Sequence, residues 1–184
     1  MSSKKTVIWV FVLTFITMIF AACTIVPKGQ MEFGNYMEKQ KLPLTCRIII
    51  PESSRNYQFV VMGTKFSIGP VFSENVPIAL KEVLKDVSTS ATVPTDITIT
   101  AYLNNFSLSM SGIFPVVNAS VLYELNNKNG VLIKKLTSDR IYTAGFNSPS
   151  GPDLYKLVIK ECLEELNAQI VQDKSLIMSK IKGN

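Results

Sequence analysis

The segment Asn126-Asn127-Lys128-Asn129-Gly130 constrains the fold of this chain more than any other. It separates two runs rich in strand-forming residues, 116–125 and 131–136, and its Asn-Gly step supplies the positive φ that a hairpin turn demands. Two strands joined so closely pair as antiparallel neighbours, which commits the middle of the chain to a sheet. The preceding run agrees. Across 96–103, Ile97, Ile99, Ala101 and Leu103 alternate with Thr98, Thr100 and Tyr102, the period of a strand with one dry face. Phe106, Leu108 and Met110 resume the pattern after an expected bulge at Asn104-Asn105.

Two segments follow the helical period instead. Val76, Ala79, Leu80, Val83, Leu84 and Val87 recur at the spacing of one helix face, with Lys81, Glu82, Lys85 and Asp86 opposite. Gly69-Pro70 precedes this helix, Ser73 or Asn75 is placed to cap it, Glu74 suits its positive end and Pro77 its first turn. The second helix begins near Asp153, after the break Asn147-Ser148-Pro149-Ser150-Gly151-Pro152. Leu154, Leu157, Val158, Glu161, Cys162, Leu166, Gln169 and Ile170 trace its mostly apolar stripe, and a basic tail follows at 173–184. Strands are also predicted at 46–50 and 57–62, joined by a polar loop at 51–56, and at 140–146. A chain of 184 residues that is 47% hydrophobic supports one core. The order of elements predicts an α+β fold, an antiparallel β-sheet with two helices packed on one face in two layers, occupying residues 44–184.

What the composition lacks narrows the chemistry. There is no histidine, which excludes Ser-His-Asp and Cys-His catalysis, histidine-ligated metals and histidine pH switching. No glycine-rich phosphate loop, CxxC pair or aromatic-basic nucleic-acid platform occurs, so the expectation is no catalytic residue, no metal, no cofactor and no nucleic-acid partner. Glu161, Glu164 and Glu165 read as a solvated helix face rather than an acid–base pair. Lys134, Lys135, Arg140, Lys174, Lys180 and Lys182 read as solvated charge, with anionic headgroups as the alternative. Cys46 and Cys162 admit two readings, a disulfide in an oxidising compartment or small buried residues. Ile113 and Phe114 fall in a strand connection, where exposed apolar residues mark a partner or membrane contact, while Phe106, Leu108 and Met110 read equally as core.

The first residues carry an address. Lys4 and Lys5 precede an uncharged run at 7–22 that closes with Phe20-Ala21-Ala22 before Cys23. A positive start, a short apolar stretch and small residues at its end form a secretion signal, expected to span 1–22. The run is shorter than the roughly 20 residues that span a bilayer. Phe20 to Cys23 resembles the lipobox of bacterial lipoproteins, departing from its commonest form at Phe20, where leucine is usual. That resemblance implies cleavage before Cys23 and acylation of Cys23 with three chains, palmitate among them. At about 0.8 kcal/mol for each buried methylene, such chains anchor a protein without a spanning helix. Thr24, in place of an aspartate after the cysteine, resembles the pattern that permits sorting to the outer membrane, facing the periplasm. Residues 23–43, with Pro27, Gly29, Gly34 and Pro43 and no sustained period, read as the lipidated start and a tether.

The layout over about 45–172 resembles small envelope lipoproteins, notably the YajG-type and, less closely, the lipopolysaccharide-assembly lipoproteins. The resemblance implies a non-enzymatic domain, tethered to the membrane through its N-terminal lipid and presented to an envelope protein partner as an accessory or structural subunit of an assembly or transport system. The alternative is a periplasmic lipoprotein that binds a lipid or glycolipid in a gap between sheet and helices.

Overall fold

The computed structural model describes residues 24–34, 41–61, 63–149 and 151–182. Within them the chain forms β1 (Thr24–Ile25), β2 (Leu42–Ile49), α1 (Glu52–Arg55), β3 (Gln58–Val61), β4 (Thr64–Ser67) and α2 (Gly69–Lys81). There follow β5 (Leu84–Ser88), β6 (Ile97–Ser111), β7 (Phe114–Asn127), β8 (Leu132–Thr143), α3 (Pro152–Gln172) and α4 (Lys174–Lys182). The fold is α+β, but its sheets are mixed rather than purely antiparallel. The larger sheet has the order β5-β2-β6-β7-β8, and the smaller the order β1-β4-β3.

The hairpin around Gly130 forms as its sequence requires, with Gly130 at φ +79° and Asn127 Oδ1 accepting from the Asn129 and Val131 amides at 3.0 and 2.9 Å. β6 and β7 pair antiparallel along their length, and the ladder shifts between Leu103 and Asn105, the bulge expected there. β8 runs unbroken to Thr143, so the two strands read at 131–136 and 140–146 are one. The parallel pairs are the correction to the antiparallel expectation. β2 lies parallel to both β5 and β6, because the chain leaves β2 through α1, β3, β4 and α2 and returns to the start of the sheet before forming β5.

That crossover also redraws the first helix. α2 starts at Gly69, with Pro70 in its first turn, and ends at Lys81; Pro77 lies inside it and Asn75 is a buried mid-helix residue. Gly69 is obligatory for packing, since a β-carbon there would overlap the Arg55 carbonyl. Leu84–Ser88, read from the sequence as the end of the helix, is a strand; Leu84 is buried in either conformation, so its burial could not discriminate. The loop expected at 51–56 contains the single helical turn α1.

The core lies between the larger sheet and the helices. Ile97, Ile99, Ala101, Val117, Val121, Tyr123 and Leu125 face it from β6 and β7, and Leu154, Val158, Cys162, Leu163, Leu166 and Ile170 face it from α3. α3 contacts β7, β8 and α2, and Asn167 Nδ2 donates to the Ala79 carbonyl at 2.7 Å. The smaller sheet joins this body through Phe59, Phe66, Phe106 and Tyr155, whose ring centroids are 5.1–5.7 Å apart. Residues 24–34, expected within the tether, carry β1 and bury Pro27 and Met31; the Met31 amide donates to Asn75 Oδ1 at 2.7 Å. The signal at 1–22 and Cys23 lie outside the described residues.

Candidate functional site

Most charges that the sequence offered for surface recognition are committed within the molecule. Lys134 pairs with Asp173 at 2.5 Å, Lys135 with Glu124 at 2.5 Å and Arg140 with Glu165 at 3.1 Å. Lys174 and Lys180 donate to the carbonyls of Lys41 and Ile133, at 3.4 and 3.0 Å. Glu165 also accepts from the buried Ser138 hydroxyl, and Glu164 lies 3.7 Å from Lys160, so these carboxylates hold α3 to its surroundings and themselves. On β7 the Lys135 hydrogen bond holds the Glu124 carboxyl below its ordinary range, and partial burial followed by the Glu124 charge raises the Tyr102 phenol. Among the described residues, no group of three or more His, Cys, Asp or Glu could hold a metal ion.

Cys46 and Cys162 are both free thiols and buried. Burial pushes Cys46 up to about 12 and Cys162 to about 11, with the Ser138 hydroxyl partly opposing the rise at Cys162. Both therefore remain protonated at neutral pH, the opposite of an activated nucleophile. The bridge considered from the sequence is not made in this structure. Cys46 sits on β2 and Cys162 lies beside Ser138 of β8, while β6 and β7 intervene in the sheet. Tyr123 of β7 stands near enough to both thiols for each to raise its phenol further, after the larger effect of burial.

The apolar connection singled out at Ile113 and Phe114 is the end of the long β6–β7 hairpin. Gly112, at φ +62°, and Ile113 form its turn, and Ile113 is 73% exposed. The strand register puts Phe114, Val116 and Ile141 on the outer face of the sheet, away from the core, and Ile141 is 76% exposed. Phe146, 88% exposed, stacks edge-on against Phe114 with centroids 5.1 Å apart. Met110 is also exposed, whereas Phe106 is core and Leu108 packs against it, so the alternation from 106 to 110 divides between both expected roles. Sequence reasoning found Ile113 and Phe114 through their place in a turn. It missed Ile141 and Phe146, which reach this end only through the β7–β8 pairing.

One edge of β6 is open at the same end. β2 pairs with β6 only through Thr100, after which the Ser54 hydroxyl accepts from the Leu103 amide at 3.0 Å and the Tyr57 hydroxyl from the Phe106 amide at 2.9 Å. Beyond Phe106, no strand among the described residues pairs with that edge. Two clefts open elsewhere on the outer face, with volumes of about 410 and 210 Å³. They are not in the sheet–helix gap where a lipid site was considered; core side chains occupy that interface.

Neither a family model nor a curated protein sequence matches the chain. Its fold is similar to that of the Xanthomonas campestris protein XCC0632 of the family DUF330, with a TM-score of 0.59 and 9% identity over 88% of this chain and 100% of the other. It is also similar to the Chlamydia trachomatis protein CT253, with a TM-score of 0.53 and 12% identity over 74% of this chain and 99% of that one. A more distant likeness, with a TM-score of 0.46 and 12% identity, covers 81% of this chain and 94% of an uncharacterized lipoprotein B from Nitrosomonas europaea. The first two likenesses concern the fold: this α+β arrangement is one that other bacterial chains adopt with almost no sequence in common.

Proposed function

We propose that this chain is a lipid-anchored lipoprotein of the bacterial envelope, held through acylated Cys23 at the outer membrane and facing the periplasm, whose domain performs no chemistry and docks a protein partner. The lipobox-like Phe20-Ala21-Ala22-Cys23 supports the anchor. Among the described residues no helix is long and apolar enough to cross a membrane. The observation that carries the docking role is the apolar end of the β6–β7 hairpin. Ile113, Ile141 and Phe146 are each more than 70% exposed there, beside an open strand edge. Clustered apolar exposure of this kind marks an interaction surface, and an open edge offers backbone donors and acceptors to a strand of the partner. A membrane anchor would raise the local concentration of such a module near an envelope partner.

The anchor is tested by the intact mass of the membrane-extracted protein beside a Cys23→Ser variant. A mass of residues 23–184 plus acyl groups, absent from the variant, is expected. The docking role is tested in cells with a photoreactive residue at 146 and, as a control, at exposed position 81. Discrete protein adducts at 146, lost when Phe114→Asp and Ile141→Asp are added, support the reading. No adduct, or the same adducts from both positions, overturns it.

A further inference from the structure

The two clefts on the outer face meet at the opposite end of β6 from the apolar hairpin end. Arg47, Thr98 and Lys128 line both of them. Thr92 and Thr95 are among the further residues of the larger, and Thr100, Asn126 and Gly130 among those of the smaller. Arg47 comes from β2, its neighbours Thr98 and Thr100 from β6, and Asn126 from the end of β7. Lys128 stands in the turn that follows.

The polar inventory of this place is one-sided. Among the described residues, two cations line it, together with hydroxyl and amide groups, and no carboxylate does. Asp96, near in sequence, is committed to Thr45, whose amide and hydroxyl donate to it at 2.8 and 2.9 Å. Unlike the cations on β8, neither Arg47 nor Lys128 belongs to an ion pair among the described residues. Arg47 donates from one terminal nitrogen to the Thr98 hydroxyl at 3.3 Å, which fixes the guanidinium against the sheet. Its Nε is buried without an acceptor among the described residues. A guanidinium nitrogen withdrawn from solvent and left unpaired is costly, and its planar fork suits an oxyanion with two oxygens to offer.

We infer that this cleft binds a phosphate group, through charge-assisted donation from Arg47 and Lys128 and hydrogen bonds from the Thr98, Thr100 and Asn126 side chains. The group could be carried by a free solute or by a lipid headgroup, since both present the same oxygens. The inference does not depend on the docking role proposed for the other end of the sheet.

The test uses the detergent-extracted full chain, titrated with inorganic phosphate at constant ionic strength and, separately, with dihexanoyl phosphatidylglycerol below its micelle concentration. Backbone amide shifts are the readout. Binding should move the amides of Thr98, Thr100, Asn126 and Gly130, and loss of a charged hydrogen bond should weaken it by about tenfold or more. Lys128→Gln, on an exposed turn, should weaken binding without altering the remaining spectrum; Arg47→Gln should weaken it further, and Lys85→Gln, on β5, should not. Site-dependent binding of inorganic phosphate assigns a solute phosphate, and site-dependent binding of the short-chain lipid alone assigns a headgroup. Failure of both probes, or binding that survives Lys128→Gln and Arg47→Gln with their folds intact, overturns the proposal.

Discussion

Tyr123 shows what burial does when a polar atom has nowhere to go. Its side chain is fully buried, and its hydroxyl has no hydrogen-bond partner among the described residues. Removing an unpaired buried hydroxyl while keeping the ring removes a desolvation cost, so Tyr123→Phe should raise stability by about 1 kcal/mol. Urea unfolding of the two proteins, with an unchanged m-value, checks this. The two thiols beside it give a pH dependence. In the unfolded chain they ionise near 9, whereas the folded protein keeps Cys46 protonated to about 12 and Cys162 to about 11. Above pH 9 the unfolded state therefore binds fewer protons than the native one, and stability falls as pH rises through this window. Replacing Cys46 with Ala should make that fall shallower, by up to about 1.4 kcal/mol per pH unit. Unfolding curves between pH 8 and 10.5 measure the slope.

At the scale of elements, the strap of α1 and β3 exists to finish a strand that another strand abandons. β2 stops pairing at Thr100, so on that edge of β6 the Leu103 amide meets no strand; Ser54 accepts it. Ser54→Ala leaves that buried donor unpaired and should cost about 1–3 kcal/mol, with faster hydrogen exchange confined to the amides around the bulge. A uniform rise in exchange across β6 would mean that the serine supports the whole strand instead. The bulge was legible because Asn104-Asn105 breaks the alternation of apolar residues. The acceptor was not, since Ser54 stands 49 positions away in a stretch of turn-forming residues where nothing distinguishes it from Ser53.

Across the whole molecule, one buried asparagine ties the first described residues to the core. Asn75 donates to the Val71 carbonyl at 2.8 Å and accepts from the Met31 amide at 2.7 Å, so the segment that begins directly after Cys23 is fastened to α2. A lipid at Cys23 would then hold the domain close to the membrane rather than on a long free leash. Asn75→Ala should free residues 24–34, seen as loss of exchange protection at Met31 and rapid proteolysis of this segment, while the larger sheet stays folded. An unchanged cleavage rate would show that β1 and the buried Pro27 and Met31 side chains hold the segment without the asparagine.

By itself the sequence determined whatever depends on near neighbours. The turn at 126–130, the alternation of β6 and β7, the bulge and the apolar stripe of α3 are each written within a few residues, where turn chemistry and side-chain period act. It left Leu84 and Val87 ambiguous, because an apolar pair suits the end of a helix or a short strand equally; only the empty edge of β2 decides that they pair in parallel. The same holds at both candidate sites. Ile113 was visible in its turn, but Phe146 and Ile141 join it through a strand register, and the Arg47 Nε becomes a buried donor without an acceptor only when β6 and the 126–130 turn close around it. A side chain's partners, and so its free energy and its use, are fixed by contacts between distant segments, and these the tertiary structure alone supplies.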